Sequence, residues 1–294
     1  MIPAAAGNPY KSPMQVAKLT ILGVGLLGGS VGLAAKARGV ALSVCGVGRD
    51  ERNLERARAS GAINTYSVDV AEAVHNADFV VVCTPVDRIA TDVLAAARSA
   101  PPRCLITDVG STKGNILREL AGKLAANGPT FIAAHPLAGS EKRGSANANA
   151  DLFVDRLVIT TPLLDTDGEA TAAVECFWRS LGAHVLRMTP EEHDSALAFT
   201  SHLPHAVASA LAGVTDIGLL NLTAGGFRDS TRIAAGDPEL WAAIFEANTP
   251  AVLGTLDHYL LRLQDFRAIL ARGDRAALIR WLAEGKRVRD ALGS

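Results

Sequence analysis

Gly23-Val24-Gly25-Leu26-Leu27-Gly28 constrains the fold of this chain more than any other segment. It follows an apolar run and opens a helical pattern, GGSVGLAAKARG. A G-x-G-x-x-G in that context calls for a tight turn at Gly23. It also calls for close backbone approach to a pyrophosphate at Gly25 and close strand–helix packing at Gly28. Leu26 and Leu27 fill the two open positions at the helix start, where backbone amides can receive phosphate oxygens. A merely structural glycine turn is the plain alternative, and the strand before and helix after argue against it. Nothing downstream suggests a large flavin domain, so a nicotinamide dinucleotide is the expected ligand.

The rest of the first two thirds keeps to the same pattern. LTILGVG (19–25), LSVCGV (42–47), DFVVVCT (78–84), CLITDV (104–109), TFIAAH (130–135), LVITTP (157–162) and AHVLRM (183–188) read as strands. NLERARAS, DRIATDVLAAARS, KGNILRELAGKLAAN and GEATAAVECFWRSLG read as the helices between them. Near-continuous Val/Ile/Leu strands alternating with helices predict a mostly parallel α/β sheet of Rossmann type, covered on both faces. After Pro190 the strand pattern stops and only helical patterns remain. Thr189 reads as a cap with Pro190 at the first helical position, and Asp237-Pro238-Glu239 offers a second helix start. We therefore expect a loose arm over 1–17, a dinucleotide-binding domain over 18–188 and a helical substrate and dimerisation domain over 189–294. The long apolar faces of those helices call for a second subunit.

Composition removes several classes. The 294 residues carry a net charge of -1, so no basic field points to nucleic acid or an anionic membrane. No run approaches the ~20 apolar residues that span a bilayer, and the N-terminus lacks the continuous apolar core of a secretory signal. The four cysteines lie far apart with no C-x-x-C pair, which reads as free thiols in the cytoplasm.

Three strand ends would contact the cofactor. The second strand closes in Gly48-Arg49-Asp50, where an NAD-selective site would carry an acid for the ribose hydroxyls. A small residue followed by a cation leans towards NADP, although Asp50 could swing back to the ribose, which keeps NAD open. Thr84-Pro85 ends another strand on the expected nicotinamide side, with Thr84 either bonding the cofactor or capping the turn. Asp108-Val109-Gly110-Ser111-Thr112-Lys113 repeats the logic, with Ser111 in reach of substrate or nicotinamide. Asp108 and Lys113 either act directly or only tie the loop together.

FIAAHPLAGSEKRG (131–144) places His135 right after an apolar strand, beyond whose carboxyl end the ligand crevice of a doubly wound sheet lies. A neutral imidazole there suits removal of a hydroxyl proton during hydride abstraction. SHLPH (201–205) sets His202 and His205 three apart beside Ser201, with Pro204 disturbing the turn. His193 and Asp194 lie upstream, but the spacing matches no compact zinc pattern and no metal is expected. In GGFRDSTRIA (225–234), Arg232 is the better carboxylate clamp and Arg228 suits an ordinary surface role. The paired glycines argue against a regular helix before them. Trp241 reads as a pocket wall or as core.

Taken together and in order, GVGLLGGS, VVCTPV, DVGSTK, HPLAGSEKRG, SHLPH and GGFRDSTRIA resemble the prephenate/arogenate dehydrogenase family over residues 18–290. The resemblance implies NAD(P)-dependent oxidative decarboxylation of prephenate to 4-hydroxyphenylpyruvate, or of arogenate, in tyrosine biosynthesis. It implies His135 as the catalytic base, Ser111 as its helper and Arg232 as the carboxylate ligand. Ser201, His202, His205, Gly225, Asp229 and Trp241 fall on pocket positions, and Glu141 on a gating loop. It also implies an intertwined homodimer. The chain ends soon after the helical domain, so tyrosine inhibition is expected in the substrate site. A β-hydroxyacid dehydrogenase and a dinucleotide-sensing protein are the alternatives.

Overall fold

A computed structural model describes residues 14–138 and 144–293. Six strands, β1 (Val16–Leu22), β2 (Ala41–Val47), β3 (Thr65–Ser67), β4 (Phe79–Val82), β5 (Leu105–Asp108) and β6 (Thr130–Ile132), form one parallel sheet. Their order is β3-β2-β1-β4-β5-β6. The chain therefore reverses direction across the sheet between β1 and β4, which opens a crevice at their carboxyl ends. The connecting helices are α1 (Leu26–Ala37), α2 (Glu51–Ala59), α3 (Val70–Val74), α4 (Ile89–Ser99) and α5 (Gly114–Leu120).

Both faces of the sheet are covered, and β4 displays the reason in four residues. Phe79 and Val81 point into a core with Val31, Phe177 and Trp178, while Val80 and Val82 point into another with Val93, Ile106 and Ile116. Alternate side chains of a strand face opposite ways, so a strand buried on both sides must be apolar throughout. Phe79 stacks on Phe177 with ring centroids 4.3 Å apart.

Two expectations need correction here. The run 130–135 is not one strand: β6 ends at Ile132, and β7 (Ala134–Pro136) belongs to a second sheet. In that sheet β7 runs antiparallel to β8 (Leu157–Thr160), which is parallel to β9 (His184–Arg187). The cause is a pair of bonds that pull Ala134 out of the parallel ladder. Its N–H donates to Asp108 Oδ1 at 2.9 Å and its carbonyl accepts from Lys113 Nζ at 2.7 Å. His135 accordingly sits inside a short strand rather than beyond the end of a parallel one. Second, β3 and α3 are elements that apolar periodicity does not announce, because each is too short to carry a pattern.

The helix α6 (Gly168–Ser180) crosses from β8 to β9. Then the chain turns wholly helical with α7 (Pro190–Leu197), α8 (Leu203–Gly213), α9 (Gly225–Thr231), α10 (Pro238–Ala247), α11 (Thr249–Arg272) and α12 (Arg275–Asp290). Thr189 and Glu192 form a reciprocal capping box at the head of α7, and Asp237 caps α10. Between α7 and α8, Ala198–His202 is a π-helical turn. Pro204 explains it: the ring lacks an N–H and would strike the Thr200 carbonyl four residues back, so the backbone widens there.

Gly225-Gly226 opens α9 rather than interrupting it, contrary to the reading from sequence. The helical part leaves much apolar surface bare on one chain, including Val214 at 83% and Ile217 at 82% exposure together with Leu260 and Leu261. Among the described residues, no helix is long and apolar enough to cross a membrane.

Candidate active site

At the carboxyl ends of β1, β2 and β4 lies a cavity of about 560 Å³, lined among others by Gly23, Gly25, Gly48, Arg49, Thr84 and Pro85. Gly23 has φ +90°, and a Cβ there would meet the Cys83 carbonyl oxygen at 2.8 Å. At Gly28 a Cβ would fall 2.1 Å from the Gly23 carbonyl, so that glycine lets α1 sit tight on the turn. Gly25, by contrast, faces open space, and α1 starts there with no side-chain cap on its first amides. Those amides and the buried Thr84 Oγ1, unpartnered among the described residues, are what a bound dinucleotide would use. The residues present fit that group.

Leu26 and Leu27 lie in the first turn of α1 and Ser111 on the loop after β5; none of the three lines this cavity. Sequence reasoning missed Asn53, Arg56 and Arg88, which do. Only the cationic character of α2 hinted at Arg56.

His135 is buried against a cluster contributed by both parts of the chain. Its Nδ1 lies 2.9 Å from Nε2 of His193, whose Nδ1 lies 2.8 Å from Asp194 Oδ1. Asp194 also accepts the backbone N–H groups of Lys113 and Gly114, each at 2.8 Å. Asn248 Nδ2 donates to the Asp194 carbonyl at 2.8 Å and lies 3.2 Å from His202 Nδ1. Trp241 ties in the last pair, stacking on His205 at 3.6 Å between centroids and meeting His202 edge-on at 6.4 Å.

Beneath His135 runs a buried ion pair. Lys113 Nζ reaches Asp108 Oδ2 at 2.5 Å, both side chains having no solvent exposure. Asp108 and Lys113 thus tie β5 to β7. Burial pulls the Lys113 ammonium below the usual lysine value, and Asp108 opposes that pull.

Burial foremost, and then His193, Lys113 and His202, hold His135 well below the usual histidine value. His202 is brought down by burial to about 4. Asp194 stays below the usual carboxylate range: burial, the largest single influence, pushes it up, but the His193 bond and the two amides outweigh it. At neutral pH the cluster therefore presents uncharged imidazoles around one ionised carboxylate.

The remaining predicted residues are spread out on the single chain. Ser201 is half-buried beside His202, whereas Gly225, Asp229 and Arg232 are exposed. Arg232 starts a 3₁₀ turn, Arg232–Ala235, that ends at Gly236 against His205 and Trp241. Glu141 lies outside the described residues. His193 and Asp194 entered the sequence reading only as unsuitable metal ligands, and among the described residues no metal-binding cluster forms.

A sequence model of "Prephenate dehydrogenase, nucleotide-binding domain" matches residues 31–187, and one of "Prephenate dehydrogenase, dimerization domain" matches residues 189–284. The chain belongs to the prephenate dehydrogenase family. It is 34% identical over 281 residues to the cyclohexadienyl dehydrogenase of Zymomonas mobilis, covering 93% of this chain and 95% of that one. It is 33% identical to the prephenate dehydrogenase of Bacillus subtilis, covering 95% and 77%.

Among solved structures, the Aquifex aeolicus prephenate dehydrogenase in complex with hydroxyphenyl propionate and NAD+ superimposes with a TM-score of 0.87 at 29% identity, covering 96% of this chain and all of that one. Synechocystis arogenate dehydrogenase gives 0.78 at 29% identity, covering 94% and 99%. This prephenate dehydrogenase family member is an oxidoreductase with a dinucleotide-binding Rossmann domain and a helical dimerisation domain, acting on prephenate/arogenate-type substrates. The β-hydroxyacid dehydrogenase and sensor alternatives give way to that membership.

Proposed function

We propose that the enzyme oxidatively decarboxylates prephenate to 4-hydroxyphenylpyruvate and prefers NADP, with arogenate as the alternative substrate. The observation that carries this reading is His135, buried, uncharged and held between the dinucleotide-binding domain and the helical cluster. A bound nicotinamide supplies the hydride acceptor. His135 takes the proton from the ring hydroxyl as the carbon bearing it loses hydride; the ring carboxylate then departs as CO2, its bonding pair aromatising the ring and passing to the ring oxygen, which takes the proton back to give the phenol. Neutral imidazole suits this step because it accepts a proton without first having to lose one.

Ser111 assists at the same hydroxyl. Arg232 takes a substrate carboxylate, its exposed guanidinium being free to turn towards an anion. Ser201, His202, His205, Gly225, Asp229, Trp241 and Glu141 complete the pocket and its entrance. Tyrosine, resembling the product side chain and ring, would compete for that pocket.

The cofactor preference rests on three features. Both Asp50 oxygens are occupied in capping α2, one by the Arg52 N–H and the other by Asn53 Nδ2, each at 2.9 Å. An acid at position 48 would press its Cβ to 3.3 Å from Leu54. Arg49 and Arg56 line the same end of the cavity, where two guanidiniums favour a 2′-phosphate. Initial rates with prephenate and L-arogenate, each against NAD+ and NADP+, test both parts. The expected result is fastest turnover with prephenate and NADP+; a clear NAD+ preference overturns the cofactor reading, and exclusive use of arogenate the substrate reading.

A further inference from the structure

The bonds around Asp194 decide which nitrogen of His135 is free. Asp194 is ionised and can only accept, so the His193 nitrogen 2.8 Å away, Nδ1, must carry its proton. His193 has no solvent exposure, is itself held below the usual histidine value by burial, and lies near the Lys113 cation, so it is uncharged and its Nε2 bears a lone pair. The His135 nitrogen facing that lone pair at 2.9 Å, Nδ1, must then donate. Nε2 of His135 is left bare.

We propose that His193 and Asp194 are positioning residues which fix His135 in its Nδ1–H tautomer, so that Nε2 is always the nitrogen offered to the substrate hydroxyl. This rests on His135 being the base. Once Nε2 has taken the hydroxyl proton, the imidazolium keeps donating through Nδ1 to His193, whose own donor is anchored on Asp194. The new positive charge is thus met by a polarised chain ending in a carboxylate. The proton returns from Nε2 to the phenolate oxygen left by decarboxylation, so His193 and Asp194 begin and end each turnover in the same state.

The device joins the two parts of the chain. Asp194, near the start of the helical region, accepts from the two amides that lead into α5 of the sheet domain. The base is therefore correctly tautomerised only when α7 is docked on α5. Among the described residues, the charged and titratable groups facing His135 are Lys113 from the head of α5, with Asp108 on β5 behind it, His193 and Asp194 from α7, and His202 from the π turn.

Nitrogen-15 NMR of the resting enzyme reads the tautomer without any substrate, and His135→Ala identifies the signal. The expected spectrum at pH 7 has the His135 proton on Nδ1; a proton on Nε2 overturns the proposal. In His193→Leu we expect a mixed tautomer, kcat lower by about 10–100-fold with KM nearly unchanged, and an altered acid limb of the pH profile. His193→Gln, whose amide oxygen still accepts from His135, is expected to recover most of kcat. Equal losses in Leu and Gln variants with an unmoved pH profile overturn the role. If the Leu variant does not fold, the wild-type tautomer and the Gln variant still decide. A wild-type enzyme with the Nδ1–H tautomer but no turnover of either substrate refutes the assigned function, and with it the presentation of Nε2 to that hydroxyl, while the tautomer assignment stands.

Discussion

Lys113→Met should be among the most costly single substitutions in the sheet domain. Methionine keeps most of the buried stem, so the loss is electrostatic rather than one of packing. It removes the donor to Asp108 Oδ2 at 2.5 Å and to the Ala134 carbonyl at 2.7 Å. What remains is an Asp108 carboxylate with no solvent exposure, still accepting from the Gly110 and Ala134 amides but without its counter-ion. Breaking a buried pair from one side costs about 3–5 kcal/mol, a large share of the roughly 5–15 kcal/mol that holds a typical domain folded.

At roughly 2–4 °C per kcal/mol for a chain of this size, the melting temperature should fall by roughly 6–20 °C. Calorimetry at one fixed protein concentration measures it, since a dimer's transition moves with concentration. Asp108→Asn combined with Lys113→Met leaves no bare charge and should regain about 1–2 kcal/mol of the loss. A single variant melting within about 2 °C of wild type, or a double variant no better than the single, would refute the account of the β5–β7 tie.

Arg49→Ala should raise the NADP+ KM by about 10-fold or more, the loss of one charge-assisted contact, while leaving NAD+ kinetics nearly unchanged; steady-state assays with both cofactors check this. His135→Ala should cut kcat by ~100-fold or more with dinucleotide binding intact by fluorescence titration. Stability should decline on acidification. His202 is held down to about 4 by burial, so between about 6.5 and 4 the unfolded chain takes up a proton that the native chain refuses. The native state is therefore favoured fully above that window and progressively less within it. Urea titrations at pH 7.5, 5.5 and 4.5 should give falling midpoints, and His202→Gln should flatten the trend. All four cysteines are free and burial pushes the Cys104 thiol up to about 12, so a thiol reagent should leave Cys104 unmodified until the protein is unfolded.

Much of the architecture was legible because its causes are local. The glycine turn, the apolar strands β1, β2, β4, β5 and β8, the capping box at Thr189 and the cap at Asp237 each depend on residues within a few positions of one another. Periodicity and cap chemistry therefore announce them in one dimension. The site was only half legible. Thr84 and Arg49 stood out because each follows a readable strand, and His135 because it closes an apolar run.

The chain by itself determined an α/β half, a helical half and the glycine turn that opens a phosphate site, since each follows from side-chain pattern and backbone preference alone. Tertiary structure decided the rest. Only folding brings Lys113 to Ala134 and so breaks the 130–135 run into two sheets, and only folding sets His193 against His135 across 58 residues of sequence. A lysine and a histidine become a strand break and a positioning device when burial removes water as their alternative partner. No pattern of neighbouring residues records which distant group will take water's place.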